Sequence, residues 1–324
     1  MMGASMLTHD VLDERAWVRS ALGPADWVVP LPEAAVAELE DVVHRIGPDL
    51  LPVLQLSPAQ FAMPACAEVM ASVARKLRGG IGLVVIDRLP VDHLSPEASR
   101  AVYWLLASML GRPVAQKWDG TMIYDVRDTG QPLEYGVRRS VTNLELVFHT
   151  DAPWLDLPPE LVGLLCLHPA PEGGVSRFVS LVTVHNRLRR WHADLLPRLY
   201  RPFPWDRQAE HAPGDETVAW QPVFQSDGQG LLGRCNEALI QTGAELAGAP
   251  LDAEGREALT AMRAILDDPE LWVEFTIERG QIQYLNNHHF AHSRTTFRDA
   301  AEPERRRHLI RLWNRDQGRP TFHG

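Results

Sequence analysis

Leu144-Glu-Leu-Val-Phe-His-Thr-Asp151 is the stretch on which the fold turns. Its first five residues, three of them aliphatic and one aromatic, read as a short β-strand. Side chains on a strand alternate with a period of two, so residues two apart point to the same side. His149 and Asp151 are two apart, and a strand ending just before Asp151 would aim both at one point in space.

The texture of the chain changes around this stretch. On its C-terminal side, strand-like runs at residues 161–167, 175–179, 217–224, 272–277, 281–285 and 308–313 are separated by turns. Helical patterns at residues 181–199 and 252–266 interrupt them. On its N-terminal side, residues 121–126 are strand-like, whereas residues 32–46 and 61–77 repeat apolar positions at helical spacing. Residues 82–87 read as a short buried strand. Ser95-Pro96 then opens another helix that runs to Gly111, because Ser caps well and Pro suits the first helical turn. Many short strands with few helices, and no regular strand–helix alternation, predict an α+β protein with a β-sandwich or jelly-roll core and flanking helices. We expect one domain over residues 1–324, with residues 1–115 as a mainly helical part packed on the jelly roll. Gly79-Gly-Ile-Gly82 precedes a strand instead of following one, which sets aside a nucleotide-binding loop.

Bulk properties exclude several classes. The net charge of -10 disfavours a nucleic-acid partner, since phosphate binding needs a basic surface. No run approaches the roughly 18 apolar residues that span a bilayer. Residues 1–10 lack a basic and an apolar signal region, so a cytoplasmic protein is expected, with no membrane partner. Cys66, Cys166 and Cys235 form no C-x-x-C pair and are expected as reduced, buried thiols. Nothing in the composition opposes a homo-oligomer.

A lone H-x-[D/E] match is weak: roughly two are expected by chance at this composition. The other match, His192-Ala-Asp194, lies in a helical pattern where residues two apart do not face each other. His149 and Asp151 therefore stand as two members of a 2-His-1-carboxylate triad, the set that binds Fe(II) on one face and leaves open positions opposite. Asn286-Asn-His-His-Phe-Ala-His292-Ser-Arg294 offers His288, His289 and His292 as the third, and spacing does not choose among them.

Phe148-His-Thr-Asp151, Glu172-Gly-Gly-Val-Ser176, residues 286–297 and Arg306-Arg-His-Leu-Ile-Arg-Leu-Trp313, in this order, resemble the taurine dioxygenase (TauD/TfdA-like) family and the clavaminate synthase-like group. The resemblance covers about the C-terminal half. It implies a double-stranded β-helix core, an Fe(II) cofactor and 2-oxoglutarate as co-substrate. It selects His292 as the distal ligand and leaves His288, where the family commonly has Arg, without a role. It implies Arg307 for the C5 carboxylate of 2-oxoglutarate, with Ser176 as a hydroxyl on the same group. Arg311 is implied near the C1 carboxylate or an anionic substrate. Arg suits these tasks because its planar fork meets a carboxylate with two parallel hydrogen bonds. As i and i+4 of one strand, Arg307 and Arg311 would face the same cavity, and Arg305 and Arg306 are expected at the surface.

The implied reaction consumes O₂ and 2-oxoglutarate, releases succinate and CO₂, and oxidises, most simply hydroxylates, a C–H bond of a small molecule. Related halogenases lack the carboxylate that Asp151 supplies, so its presence favours oxygenation. Lys117, Trp118, Tyr124, Tyr135, Arg138, Arg139 and Asn143 lie where such pockets are lined. They suit an amino acid or a carboxylate-bearing natural-product intermediate. The competing reading is a cupin-like metal-dependent protein or hydrolase that does not use 2-oxoglutarate. It would leave Arg307 and Ser176 without a task.

Overall fold

The strands that build the larger sheet are apolar on both faces, and this fixes the layering. In the computed structural model, which describes residues 6–47, 52–132, 136, 138–226 and 230–324, that sheet has seven strands. Their order is Val28–Pro30, Leu83–Asp87, Ile282–Asn286, Leu161–His168, His308–Asn314 and Pro113–Val114, with Tyr124–Val126 also paired to His308–Asn314. Along Leu83–Asp87, Leu83 and Val85 enter one apolar core, and Val84 and Ile86 the other. Trp313 faces the first core, while Ile310 and Leu312 face the second. Strands buried on both sides read as continuous apolar runs, which is how residues 82–87 announce themselves.

The second core is closed by the helices Glu33–Ile46, Pro64–Arg78 and Pro96–Leu110. Ser95 caps the last of these through its hydroxyl, which accepts from the Ala98 N–H at 3.1 Å. The first core lies between the larger sheet and a four-stranded one ordered Trp272–Phe275, Ser176–Ser180, Phe290–Arg294 and Leu146–His149. All neighbours in this smaller sheet are antiparallel. The two sheets form a jelly roll, as expected. The N-terminal helical part also contributes strands, since Leu83–Asp87 sits inside the larger sheet.

Two expected elements differ in detail, and two further ones are new. The helix over residues 181–199 is two helices, Leu181–Trp191 and Leu196–Leu199. Pro197 has no N–H and would clash with a continuing turn, so it is accommodated at the start of the second. The strand over residues 217–224 is divided at Pro222 into Val218–Gln221 and Phe224–Ser226, which pair with different partners. Phe203–Asp206 forms a strand despite Pro204, on the edge of a two-stranded ribbon where a missing donor is tolerated. The helix Glu237–Leu246 was also not expected. Gly82 is a packing residue: a Cβ there would lie 1.9 Å from the Phe290 ring, and its φ is +74°.

Candidate active site

The smaller sheet sets two imidazoles side by side. His149 ends the strand Leu146–His149 and is paired in register with His292 of Phe290–Arg294. Directly opposed residues on neighbouring strands bring their side chains together, and the ring centroids are 4.1 Å apart. Asp151 lies beyond the strand, so alternation alone does not place it. Its backbone is clamped instead: the Asp151 N–H donates to Asn287 Oδ1 at 2.7 Å, and Asn287 Nδ2 donates back to the Asp151 carbonyl at 3.0 Å. Ala152 follows in the left-handed region, with φ +49°. Ligand atoms of His149, Asp151 and His292 all lie within 4.8 Å of one another.

The surroundings leave this donor set ready for a divalent cation. His149 Nδ1 sits 2.9 Å from the Val147 carbonyl, a contact that fixes the ring and turns Nε2 towards Asp151. His292 Nδ1 is buried without a hydrogen-bond partner. Burial, then the neighbouring His149, pushes the His292 imidazole down to about 3, so it is neutral and able to ligate. Burial works against charge on Asp151, but Arg311, His149 and His292 outweigh it and hold the carboxyl well below its ordinary range. Asp151 Oδ2 is occupied by the Trp313 indole N–H at 2.8 Å and by Arg311 Nη1 at 3.1 Å. Oδ1 is left facing His149 Nε2 at 3.6 Å. Two imidazoles and one ionised carboxylate are the donors that Fe(II) takes in a facial triad.

Of the three candidate histidines, the structure brings only His292 to this cluster among the described residues. His288 Nε2 lies 3.3 Å from the Pro158 carbonyl, and its own carbonyl accepts from the Gly233 N–H, a structural role. His289 stands beside Arg15 at 3.4 Å. His192 caps the end of a helix, and Asp194 is exposed.

A second cluster holds positive charge without an ion pair, Asp299 acting on both guanidiniums only from a distance. Arg307 and Arg294 are both buried, lie 5.0 and 4.8 Å from the centre of the Phe297 ring, and pair with no carboxylate among the described residues. Burial lowers Arg307 to about 10. Burial and then Arg307 itself lower Arg294 to about 9. Arg294 Nη2 donates to the carbonyl of Thr142 at 2.9 Å and to that of Leu144, whereas Arg307 Nη1 has no partner. Ser176 is paired in register with Arg294, which brings its buried hydroxyl to the same end. Arg307 precedes the strand His308–Asn314, and a register shift separates His308 from Leu309. The expected i,i+4 alternation between Arg307 and Arg311 therefore does not run through one regular strand, although both side chains are buried. Arg294 was in view only as part of the histidine motif; a His-Ser-Arg strand two residues past a ligand was the signal for it.

Above the triad opens a cavity of about 400 Å³. Arg311 lines it with Nη2 unpartnered, its Nε donating to Gln116 Oε1 at 2.7 Å. Of the residues expected at the substrate, Arg138 and Arg139 line the cavity. Tyr124 stacks beneath Arg311 and Arg138. Lys117 lies over the same ring, whereas Trp118 and Asn143 are exposed. Tyr135 falls outside the described residues. Sequence reading missed Asp206, Gln208, Asn236 and Thr242, which lie on or next to the unexpected strand and helix. The three cysteines are free and buried.

Comparison with known proteins gives a consistent picture. The model of the family "Taurine catabolism dioxygenase TauD, TfdA family" matches residues 30–313. FR-33289 synthase of Streptomyces rubellomurinus is 27% identical over 97% of this chain and 93% of its own length. A taurine hydroxylase-like protein of Stachybotrys chartarum is also 27% identical, over 97% of this chain and 82% of its own. Among solved structures, asparagine oxygenase in complex with Fe(II), 3-hydroxyasparagine and succinate superposes with a TM-score of 0.67 at 21% identity, covering 90% of this chain and 94% of that one. The non-heme iron oxygenase OrfP with Fe and alpha-ketoglutaric acid gives 0.65 at 15%, with 90% and 94% covered.

Proposed function

The chain belongs to the taurine catabolism dioxygenase TauD, TfdA family, and from that premise we propose a division of labour among its buried charges. The enzyme is a 2-oxoglutarate-dependent non-haem iron dioxygenase. His149, Asp151 and His292 hold the Fe(II). Arg307 and Ser176 take the C5 carboxylate of 2-oxoglutarate, and Arg311 faces the C1 carboxylate or an anionic group of the substrate. Fe(II) and 2-oxoglutarate, when bound, supply the oxidative decarboxylation to succinate and CO₂ and the oxidation of a C–H bond.

The residues supply position and dryness. Trp313 and Arg311 fix the rotamer of Asp151 by occupying one of its oxygens. The Val147 carbonyl fixes the ring of His149. The observation that carries the co-substrate assignment is the unpaired, buried guanidinium of Arg307: a charge left in this setting is costly unless an anion completes it. A cupin-like protein without 2-oxoglutarate gives that charge no purpose. The primary substrate is a small molecule hydroxylated in the 400 Å³ cavity, and the arginines on its wall suit one that bears a carboxylate or similar anion.

The test is addition of Fe(II) and 2-oxoglutarate to the protein under argon, followed by admission of O₂. A weak visible charge-transfer band and then succinate formation are expected. A protein that binds Fe(II) yet shows neither would return the cupin-like reading.

A further inference from the structure

The cavity over the triad carries one carboxylate that the reaction does not use. Asp206 ends the strand Phe203–Asp206 and lines the cavity together with Gln208, Asn236 and Thr242. It is only 4% exposed. Its Oδ1 accepts from the Gln208 N–H at 2.7 Å, and among the described residues no arginine or lysine pairs with it. The other charges around the cavity have partners within the chain, although Arg311 keeps Nη2 free. Arg138 is paired with Glu210, and Arg311 with Asp151, while Arg139 donates to the Glu145 carbonyl.

This carboxylate is rigidly placed. Asp206 pairs with Val218 across the two-stranded ribbon, and the helix Glu237–Leu246 packs on its backbone. The approach is close enough that a Cβ on Gly243 would lie 2.6 Å from the Asp206 nitrogen and the Pro204 oxygen. Gln208 and Ala209, both at positive φ, turn the chain immediately afterwards, so that the Gln208 N–H meets the Asp206 side chain. Burial pushes the Asp206 carboxyl above its ordinary range, against the pull of the Gln208 N–H and of His211. A cation in the cavity would reverse this and restore the ionised form.

We propose that Asp206 is the substrate's cation anchor: the enzyme takes a small molecule that carries an ammonium or comparable N–H cation, bound at Asp206, together with an anionic group on the arginine side of the cavity. The proposal rests on the oxygenase reading above and narrows it from carboxylate-bearing molecules to zwitterionic ones. A buried carboxylate with one free oxygen accepts a charge-assisted hydrogen bond from such a group, and a neutral or N-acylated analogue leaves that oxygen desolvated and unpaired.

The probes are the common L-amino acids and small aminoalkyl sulfonates and phosphonates. Each is matched with the analogue in which the ammonium is replaced by hydrogen or capped by acetyl. Binding to the Fe(II)- and 2-oxoglutarate-loaded enzyme is followed calorimetrically under argon, and succinate release is then recorded in air. We expect at least one ammonium-bearing probe to bind and its matched analogue to bind on the order of 30-fold or more weakly, the effect of leaving a buried charge unpaired. Asp206→Asn should erase most of that difference, and Asp206→Glu should keep a preference of the same sign. Three results would overturn the assignment: no ammonium-bearing probe binds, the uncharged analogues bind as well or better, or the preference survives intact in Asp206→Asn. The visible charge-transfer band and succinate formation by the wild-type enzyme separate the two readings. Absence of both the visible charge-transfer band and any succinate, with or without a probe, sinks the oxygenase reading itself, and either signal alongside any of those three results sinks only the role of Asp206.

Discussion

The two ends of the jelly-roll interior treat charge in opposite ways. At the triad, Asp151 is compensated within the chain by Arg311 and tied by Trp313. At the other end, Arg307 and Arg294 share the Phe297 ring with no carboxylate between them among the described residues. The first end pairs its carboxylate and arginine with each other and leaves one carboxylate oxygen and two imidazoles to spare. The second end leaves Arg307 Nη1 without a partner, which is where the proposed function puts the co-substrate carboxylate. The difference teaches that a buried charge paired inside the protein contributes to folding, whereas one left unpaired costs stability and pays for binding.

This contrast can be broken most sharply at Asp151. Asp151→Ala should abolish Fe(II)-dependent succinate formation and also destabilise the metal-free protein. Removing one partner leaves Arg311 buried without its counter-charge, which costs about 3 kcal/mol or more. Urea unfolding of the metal-free variant measures this, and an unchanged midpoint would mean that the pair is not compensating. At the opposite end the sign should invert. Arg307→Met should raise the KM for 2-oxoglutarate by on the order of 100-fold. It should leave the ligand-free protein as stable as the wild type, or more stable by about 1 kcal/mol, because an uncompensated buried charge has been removed. A normal KM would take Arg307 out of the co-substrate site, and a large loss of stability would show that its charge is satisfied within the fold. The smallest effect belongs to Trp313→Phe. The indole N–H to Asp151 Oδ2 is lost together with part of the ring face that Arg311 stacks on, so Fe(II) affinity should fall about tenfold, read from the Fe(II) dependence of succinate formation. A wild-type dependence would show that Arg311 alone holds the carboxylate.

Much of the fold was legible because its signals are local. Strands buried on both faces are continuous apolar runs, and the helix at Ser95-Pro96 carries its own cap. What failed to show was Phe203–Asp206 and the helix Glu237–Leu246. The strand contains a proline and survives as one side of a ribbon, and the helix is held against it by the close approach that Gly243 allows. These two elements also bring Asp206, Gln208, Asn236 and Thr242 to the cavity. The part of the site missing from the sequence reading is thus the part built on elements that only packing stabilises.

For the opening stretch, the sequence by itself determined that His149 and Asp151 could share a side, because two-residue spacing next to a strand has that consequence whatever the fold. It determined nothing local about His292, since His288 and His289 are equally close along the chain. The strand register decided that, by setting His292 opposite His149. Tertiary structure likewise decided which arginine is paired and which is not. Charge compensation depends on distances across the interior, and a linear sequence holds no such distances.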